Sequence, residues 1–227
     1  MIVGITGKKE HGKDSFAALV KAYNNDFQIL RFADDLKLMA SQIFNIDLAL
    51  MHSTAGKTYT FGAPIVMDDY IELMQDITGL AIQPKDIQAP TLRNLLQFFG
   101  TDYVRSVEDL YWVTRVTSKI VGPTLIPDTR FPNEEAGIRA LNGKIVRINR
   151  IDAPVSTDSH SSETLMDSIK ADVTLGTVTG KYILQEMAAQ SLSVYDWHKF
   201  ELFDNECMNN AGYGNTMIDK VLMRYYE

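Results

Sequence analysis

The chain is poor in cysteine and has no long apolar run. Cys207 is the only cysteine among 227 residues, which excludes a disulfide within the chain and a metal site built from cysteines. No apolar stretch approaches the roughly 18 residues that a membrane-spanning helix needs. The first residues enter a predicted strand at once, without the charged and apolar regions of a signal peptide. We therefore expect a cytoplasmic protein that does not bind a membrane.

Positive charge is also scarce in this chain. Lys and Arg number 22 against 29 Asp and Glu, which gives a formal net charge of −7. This balance argues against a surface that coats nucleic acid, so we expect no nucleic-acid partner. A site for a phosphorylated ligand must then be basic locally. The length suits one α/β domain with an inserted lobe, and it leaves the oligomeric state open, a homodimer included.

The N-terminus carries the most informative motif, which is a strand, a glycine-rich loop and a helix in that order. Residues 2–6 are mostly apolar, and Gly7-x-x-x-x-Gly12-Lys13 has the spacing of a phosphate-binding loop around His11. The glycines let backbone N–H groups turn towards phosphate oxygens, and the positive helix end favours an anion. Lys13 can reach the terminal phosphates. The motif predicts ATP or a similar nucleotide as ligand.

The motif departs from its usual form at the next position, which is normally a Ser or Thr whose hydroxyl contacts Mg²⁺. Here the residue is Asp14, whose carboxylate offers the oxygen ligands that Mg²⁺ prefers. Ser15 is a weaker candidate, because one residue turns a helix by about 100°. The alternative is a chance glycine-rich turn without a nucleotide.

Strands alternate with helices along the rest of the chain. Strands are predicted at 2–6, 27–32, 124–126, 144–149 and 173–175. Helices are predicted at 13–23, 36–44, 68–77, 91–99, 101–120, 132–141, 163–169 and 181–190. This alternation predicts an α/β fold, with a parallel sheet covered by helices on both faces. Such sheets bind ligands at the carboxyl ends of their strands. Gly7, Asp34, Asp128 and Arg150 follow predicted strands, so we expect them along one edge.

Two predicted helices carry candidate residues for a second ligand. Arg93 and Gln97 are four residues apart and share a helix face. A guanidinium grips phosphate with two hydrogen bonds, and an amide can pair with the edge of a nucleobase. Arg105 either joins Arg93 or pairs with Asp109. Trp112 is either a platform for a base or part of the core.

The segment after the predicted strand 124–126 carries candidate residues for group transfer. Asp128 can orient Mg²⁺ or the attacking group, and Arg130 can neutralise charge on a transferring phosphoryl group. Glu134 either fixes Arg130 or favours the helix N-terminus.

Two further regions carry weaker signals. Asp34 and Lys37 either cap a helix or line an acceptor pocket. Arg147 and Arg150 flank a polar loop with His160, and such a loop can close over a triphosphate. An exposed loop with a surface histidine is the alternative.

Five motifs together resemble the deoxynucleoside monophosphate kinases of bacteriophages, over roughly residues 1–190. They are GKKEHGKD, RFADDLK, LRNLLQFFGTDYVR, DTRFPNEE and SHSSE, in that order. The resemblance implies the P-loop kinase fold, with an acceptor-binding region at about 34–121 and a short lid at about 150–163. Residues 191–227 form a C-terminal extension of unknown role.

The resemblance also implies transfer of the ATP γ-phosphate to a dNMP with Mg²⁺ in the cell's cytoplasm, giving dNDP and ADP. By position it assigns Lys13 and Asp14 to ATP and Mg²⁺. Arg93, Gln97 and Arg105 are assigned to the acceptor. The resemblance assigns the transfer itself to Asp128, Arg130 and Glu134.

Other classes share part of this pattern. Phosphomevalonate kinases and dephospho-CoA kinases have similar loops, but an isoprenoid offers nothing for Gln97 to pair with. A regulatory GTPase is disfavoured, because the chain has no Asn-Lys-x-Asp motif for reading guanine. A non-catalytic nucleotide-binding module stays open because of Asp14.

Overall fold

The computed structural model describes residues 1–23, 25–150, 165–178 and 181–186. The chain divides into two compact units. Unit 1 comprises Met1–Arg31 and the chain from Thr117 onward, and unit 2 comprises Phe32–Val116. The predicted lid (about 150–163), apart from Arg150, and the C-terminal extension (191–227) lie outside the described residues.

Strands β1 to β8 lie in the described part of the chain. Their bounds are Ile2–Thr6, Gln28–Ile29, Thr60–Val66, Gln88–Thr91, Thr124–Ile126, Lys144–Arg150, Val173–Val178 and Lys181–Glu186. Unit 1 contains a sheet in the order β2-β5-β1-β6-β7-β8, in which neighbouring strands are parallel except for β7 and β8. Unit 2 contains the antiparallel pair β3 and β4.

Helices α1 to α7 are Lys13–Tyr23, Phe32–Phe44, Leu48–His52, Ile71–Thr78, Leu92–Gln97, Tyr111–Thr117 and Pro132–Ala140. Short 3-10 helices occur at Ala55–Thr58, Met67–Tyr70 and Leu165–Ser168, and a π-helix occupies Phe98–Arg105. None of the helices in the described ranges is long and apolar enough to cross a membrane.

The core of unit 1 packs helices against a buried sheet. Ile5 on β1 and Leu125 on β5 are fully buried, and Phe16 of α1 is 1% exposed. The close approach of α7 depends on Gly4, because a Cβ there would lie 2.6 Å from Ile138 Cδ1. The sequence prediction of a mostly parallel sheet with flanking helices is confirmed.

The core of unit 2 is built largely from methionine and aromatic side chains. Met67, Met74, Phe99 and Tyr103 are fully buried. The ring of Phe99 packs edge-on against Trp112, with 6.1 Å between ring centroids. These contacts hold irregular segments together where hydrophobic periodicity is weak.

Two predictions about individual elements were wrong. Lys181–Glu186, the described part of the predicted helix 181–190, is strand β8 paired antiparallel with β7. Only two residues separate β7 from β8, which is the length of a tight hairpin connection. Strand β2 ends at Ile29 and α2 begins at Phe32, so Asp34 lies in the first turn of a helix rather than at a strand end or N-cap.

The helical region of unit 2 also differs from the prediction. Thr91 caps α5 as expected, and its hydroxyl accepts a hydrogen bond from Asn94 N at 3.1 Å. However, Gly100 does not end the helix, which continues as the π-helix Phe98–Arg105. A new helix does not start at Thr101 or Asp102 but at Tyr111. Wider π turns satisfy the backbone through i→i+5 hydrogen bonds, so a glycine here does not act as a terminator.

Candidate functional site

The loop from Gly7 to Gly12 follows β1 and leads directly into α1. Gly7 and Gly12 have φ of 140° and 90°, which L side chains rarely adopt. A Cβ at Gly7 would also clash with the carbonyl oxygen of Ile148 on the neighbouring strand β6. Gly7 is therefore required by both its backbone conformation and its neighbour, and the loop has the shape of an anion cradle at a helix N-terminus.

His11 joins this loop to the end of β6. Its Nδ1 accepts a hydrogen bond from the backbone N–H of Arg150 at 3.1 Å and lies 3.3 Å from Ile148 O. A backbone N–H can only donate, so the contact with Arg150 is made by a neutral ring with its hydrogen on Nε2, whereas a proton on Nδ1 would bond to Ile148 O instead. Burial lowers the pKa of His11, and the nearby charges of Lys13, Lys8 and Arg150 lower it further. A neutral His11 therefore stabilises the loop.

The two basic side chains predicted to bind the nucleotide both contact the loop. Lys13 is 8% exposed, and its Nζ donates to Lys8 O at 2.8 Å. The amine is thus held over the loop, where it can exchange a carbonyl oxygen for a phosphate oxygen. Arg150 is the last residue of β6, and its Nη1 donates to Glu10 O at 3.3 Å.

Asp14, the residue that departs from the usual motif, pairs with Arg31. Asp14 Oδ1 accepts from Arg31 Nη2 at 3.1 Å and from Nε at 3.4 Å. Sequence reasoning did not select Arg31, because the predicted second strand ran through it to Phe32. Its position just after β2, at the same sheet edge as the loop, was the missing signal. Ser15 follows Asp14 in the first turn of α1 and is partly exposed.

Asp128 follows strand β5, which is paired with the strand that leads into the phosphate loop. Gly4 of β1 pairs with Ile126 of β5, and the N–H of Thr129 donates to Ile5 O at 3.3 Å. These contacts carry the end of β5 along β1 and bring Asp128 next to Thr6. The hydroxyl of Thr6 is buried and has no hydrogen-bond partner within the described ranges.

Glu134 acts on the backbone that carries Arg130. It is 2% exposed, and its Oε2 accepts from the N–H groups of Arg130 at 2.7 Å and Phe131 at 3.1 Å. This carboxylate caps α7, and its negative charge interacts favourably with the positive N-terminal end of the helix. These contacts form a helix cap that includes the backbone N–H of Arg130, so both interpretations of Glu134 stay open. Arg130 itself is partly exposed.

Arg147 is engaged in holding the chain after the predicted lid. Its Nη2 donates to Ile169 O at 2.7 Å and to Met166 O at 3.2 Å, next to the short helix Leu165–Ser168. Arg150 is therefore the better placed of the two arginines for a ligand on the loop. His160 lies outside the described residues.

The described part of the chain contains no group of three or more His, Cys, Asp or Glu side chains that could hold a metal ion by themselves. Mg²⁺ that is bound with a nucleotide usually takes one or two carboxylates together with substrate phosphates and water. Asp14 and Asp128 supply two separate carboxylates at the same sheet edge.

In unit 2 the π-helix decides which side chains share a face. Arg93 and Gln97 lie one turn apart on α5. In a continuous α-helix Arg105, twelve residues after Arg93, would be turned from it by about 120°. Eight of these residues are in π turns, which advance by about 80° per residue, so Arg105 returns to within about 40° of Arg93. Leu95, Phe99 and Tyr103 are fully buried on the opposite side.

Arg105 has a second contact that bears on its role. Its Nη1 donates to the backbone oxygen of Asp109 at 3.3 Å, so the predicted pairing at this spacing exists through the main chain.

Three other residues predicted for the acceptor have different surroundings. Trp112 is 2% exposed, and its Nε1 donates to Gly100 O at 3.0 Å, so it belongs to the core and offers no face to a base. Lys37 Nζ lies 3.4 Å from His52 Nδ1. Asp34 is partly exposed in the first turn of α2, whereas its neighbour Asp35 is buried and pairs with Arg115 Nε at 3.2 Å.

Comparison with protein families gives a match over a large part of the chain. A model described as deoxynucleotide monophosphate kinase matches residues 36–177, which is more than half of the chain. The matched range contains Arg93, Gln97, Asp128 and Arg130 but begins after the phosphate loop, so the loop is a separate observation. Comparison with curated proteins returned no match.

Proposed function

Because the chain belongs to the deoxynucleotide monophosphate kinase family, we propose that it transfers the γ-phosphoryl group of ATP to a deoxynucleoside monophosphate. The products are a deoxynucleoside diphosphate and ADP. One observation carries this proposal: the phosphate loop, with Lys13 held over it, lies beside Asp128 at the same edge of the sheet.

The donor half of the reaction uses the loop after β1. The positive φ angles of Gly7 and Gly12 let the loop turn backbone N–H groups towards the ATP phosphates, and Lys13 moves from Lys8 O to a phosphate oxygen. Arg150 approaches the loop from β6 through Glu10 O and adds positive charge on its other side. These groups bind and orient the triphosphate.

The transfer step needs positive charge around the moving phosphoryl group, because its oxygens carry charge in the transition state. Arg130 supplies a guanidinium from a backbone that Glu134 holds in place. Asp14 and Asp128 have the oxygen ligands that suit Mg²⁺, and the ion, when bound, neutralises phosphate charge. Asp128 also lies where it can orient the attacking phosphate oxygen.

The acceptor half uses the face of α5 and the π-helix. Arg93 and Arg105 lie close in angle on that face, so both can bind the acceptor phosphate. Gln97 is the neighbouring side chain that offers a donor and an acceptor to a base edge. This arrangement favours a nucleotide over phosphomevalonate, which has no base, and it gives dephospho-CoA kinase activity less support.

The experiment that tests the proposal is ADP release with a panel of acceptors. The panel contains the four common dNMPs, the corresponding NMPs, phosphomevalonate and dephospho-CoA, each with ATP and Mg²⁺. We expect turnover with at least one dNMP and none with phosphomevalonate. ATP binding without turnover on any acceptor would instead identify a non-catalytic nucleotide-binding module, and turnover restricted to another acceptor would replace the proposed substrate.

A further inference from the structure

Arg31 lies at the sheet edge that carries the candidate nucleotide site. Strand β2 pairs with β5 through Ile29 and Leu125, and Leu30 N continues this pairing to Leu125 O at 3.0 Å. Arg31 follows directly. Because neighbouring strands in the order β2-β5-β1 are parallel, their carboxyl ends meet at one edge. That edge therefore carries Arg31, Asp128 and the phosphate loop, in this order.

The side chain of Arg31 is directed along this edge towards the start of α1. Its Nε and Nη2 both reach a single carboxylate oxygen, Asp14 Oδ1, at 3.4 and 3.1 Å. Asp14 is next to Lys13, so the contact brings a second cation to the helix N-terminus where the loop ends. The guanidinium has five N–H donors, and two contacts to Asp14 leave its Nη1 side for another ligand.

The contribution of the Arg31–Asp14 ion pair to the stability of the fold is too small to account for its presence. The side chains of Arg31 and Asp14 are 33% and 78% exposed, and exposed ion pairs contribute only about 0–1 kcal/mol to stability. The usual Ser or Thr at this position could not hold a guanidinium through charge. Asp14 therefore differs from the usual Ser or Thr in its charge, which can fix the orientation of an arginine beside Lys13.

We propose that Arg31 binds a terminal phosphate group at this site and that Asp14 is the positioning residue that orients it. The phosphate is either the γ-phosphate of ATP or the phosphate of the acceptor monophosphate, since both present the same dianionic group to a guanidinium. The inference rests on the proposed function for the identity of the ligands. It adds a binding residue and gives the unusual Asp14 a role besides Mg²⁺.

The test measures binding rather than turnover, by isothermal titration of wild type, Arg31→Ala, Arg31→Lys and Asp14→Asn. Each protein is titrated with ATP and ADP, and with a dNMP and its deoxynucleoside. The ratio of affinities within each pair isolates the terminal phosphate. We expect Arg31→Ala to lower one of the two ratios by about 10- to 100-fold, as for a lost charged hydrogen-bonding partner. The ratio that falls identifies which phosphate Arg31 binds.

The conservative variants separate geometry from charge. Arg31→Lys keeps the charge but loses the planar fork, so it should recover only part of the ratio. Asp14→Asn should lower the same ratio by a smaller factor, and it should do so in EDTA, where a role in holding Mg²⁺ cannot contribute. The double variant Arg31→Ala/Asp14→Asn should then match Arg31→Ala alone.

Lys21→Ala is the matched control, because it removes a cation from the last turn of α1, the helix that carries Asp14 in its first turn. Lys21 Nζ contacts Asn25 O there. We expect both ratios to stay unchanged in this variant. The proposal is overturned if Arg31→Ala leaves both ratios at wild-type values, and the role of Asp14 is overturned if its effect needs Mg²⁺. Wild-type protein that prefers neither ATP nor the dNMP would overturn the proposed function together with this inference.

Discussion

The two units hold their candidate residues in different ways. In unit 1 the loop conformation depends on Gly7 and on His11, and the buried carboxylate of Glu134 holds the main chain at Arg130 and Phe131. In unit 2 the candidate residues Arg93 and Gln97 are partly exposed side chains on one helix face. Phosphate transfer is the same for every acceptor, so its geometry can be built into the backbone. Recognition of a base depends on side chains that can change without refolding.

The largest effect that this comparison predicts is at Lys13. Lys13→Ala removes the mobile cation over the loop and should lower kcat by about 10²- to 10³-fold or more, as for other groups that stabilise transition-state charge. The melting temperature should barely move. Lys9→Ala is the control, because Lys9 is an exposed lysine of the same loop. Activity close to wild type in Lys13→Ala would show that the loop does not hold the donor phosphates.

A second effect tests whether unit 1 acts through its backbone. Glu134→Ala leaves two N–H groups at the start of α7 without their acceptor and should reduce the free energy of unfolding by about 1–3 kcal/mol. Glu134→Gln keeps an acceptor oxygen and should lose less. Chemical denaturation measures both, and kcat should fall with the displaced Arg130. A loss of kcat with unchanged stability in both variants would instead make Glu134 a group that contacts the reactants.

A third effect concerns the helix face in unit 2. Arg93→Ala should raise the Michaelis constant for every dNMP, because it removes a phosphate contact common to all of them. Gln97→Ala should change the ranking among bases by only several-fold, since one hydrogen bond contributes about 1 kcal/mol. Both variants should keep wild-type stability. Uniform losses for every base in Gln97→Ala would remove it as the residue that recognises the base.

The smallest effect is a pH dependence at His11. Its pKa is lowered in the folded chain by burial, so below about pH 6.5 the unfolded chain binds more protons than the folded chain. Stability should therefore fall as pH drops through this value, by at most about 1.4 kcal/mol per pH unit. His11→Asn should lack this component, while His52→Gln in unit 2 should keep it, because His52 is exposed. Identical pH profiles for all three proteins would contradict the assignment.

The predictable parts of the molecule were those whose signals are local. Strands β1 and β5 and helix α1 have the predicted bounds, because short apolar runs and glycines mark their ends. The convergence of Gly7 and Asp128 followed from a general rule for parallel sheets. By contrast, the contact between His11 and Arg150 joins residues far apart in the chain, and no local pattern indicates it.

The parts that could not be predicted depend on tertiary contacts. The sequence of β8 predicts a helix, because its apolar residues fit the helical period as well as the strand period. Only the pairing with β7 identifies this segment as a strand. The π-helix was missed for a similar reason, since Gly100 usually marks a helix end. The backbone of Gly100 instead approaches Leu36, whose Cδ1 would clash with a Cβ at this position. The carbonyl oxygen of Gly100 also accepts a hydrogen bond from the indole N–H of Trp112. Sequence spacing alone therefore left Trp112 and Arg105 with two interpretations each.

The π-helix means that the acceptor face is encoded by the number of residues as well as by their identity. Because π turns accommodate more residues per turn than α turns, the segment Phe98–Arg105 behaves as an α-helix that has absorbed an insertion. An α-helix of unchanged length would retain Arg93, Gln97 and Arg105 yet rotate Arg105 by about 120° from Arg93, whereas deletion of one residue between them would return it to within about 20°. A related chain that lacks one residue between Phe98 and Arg105 should therefore present the same face with ordinary α geometry, and alignments should place a one-residue gap in this segment.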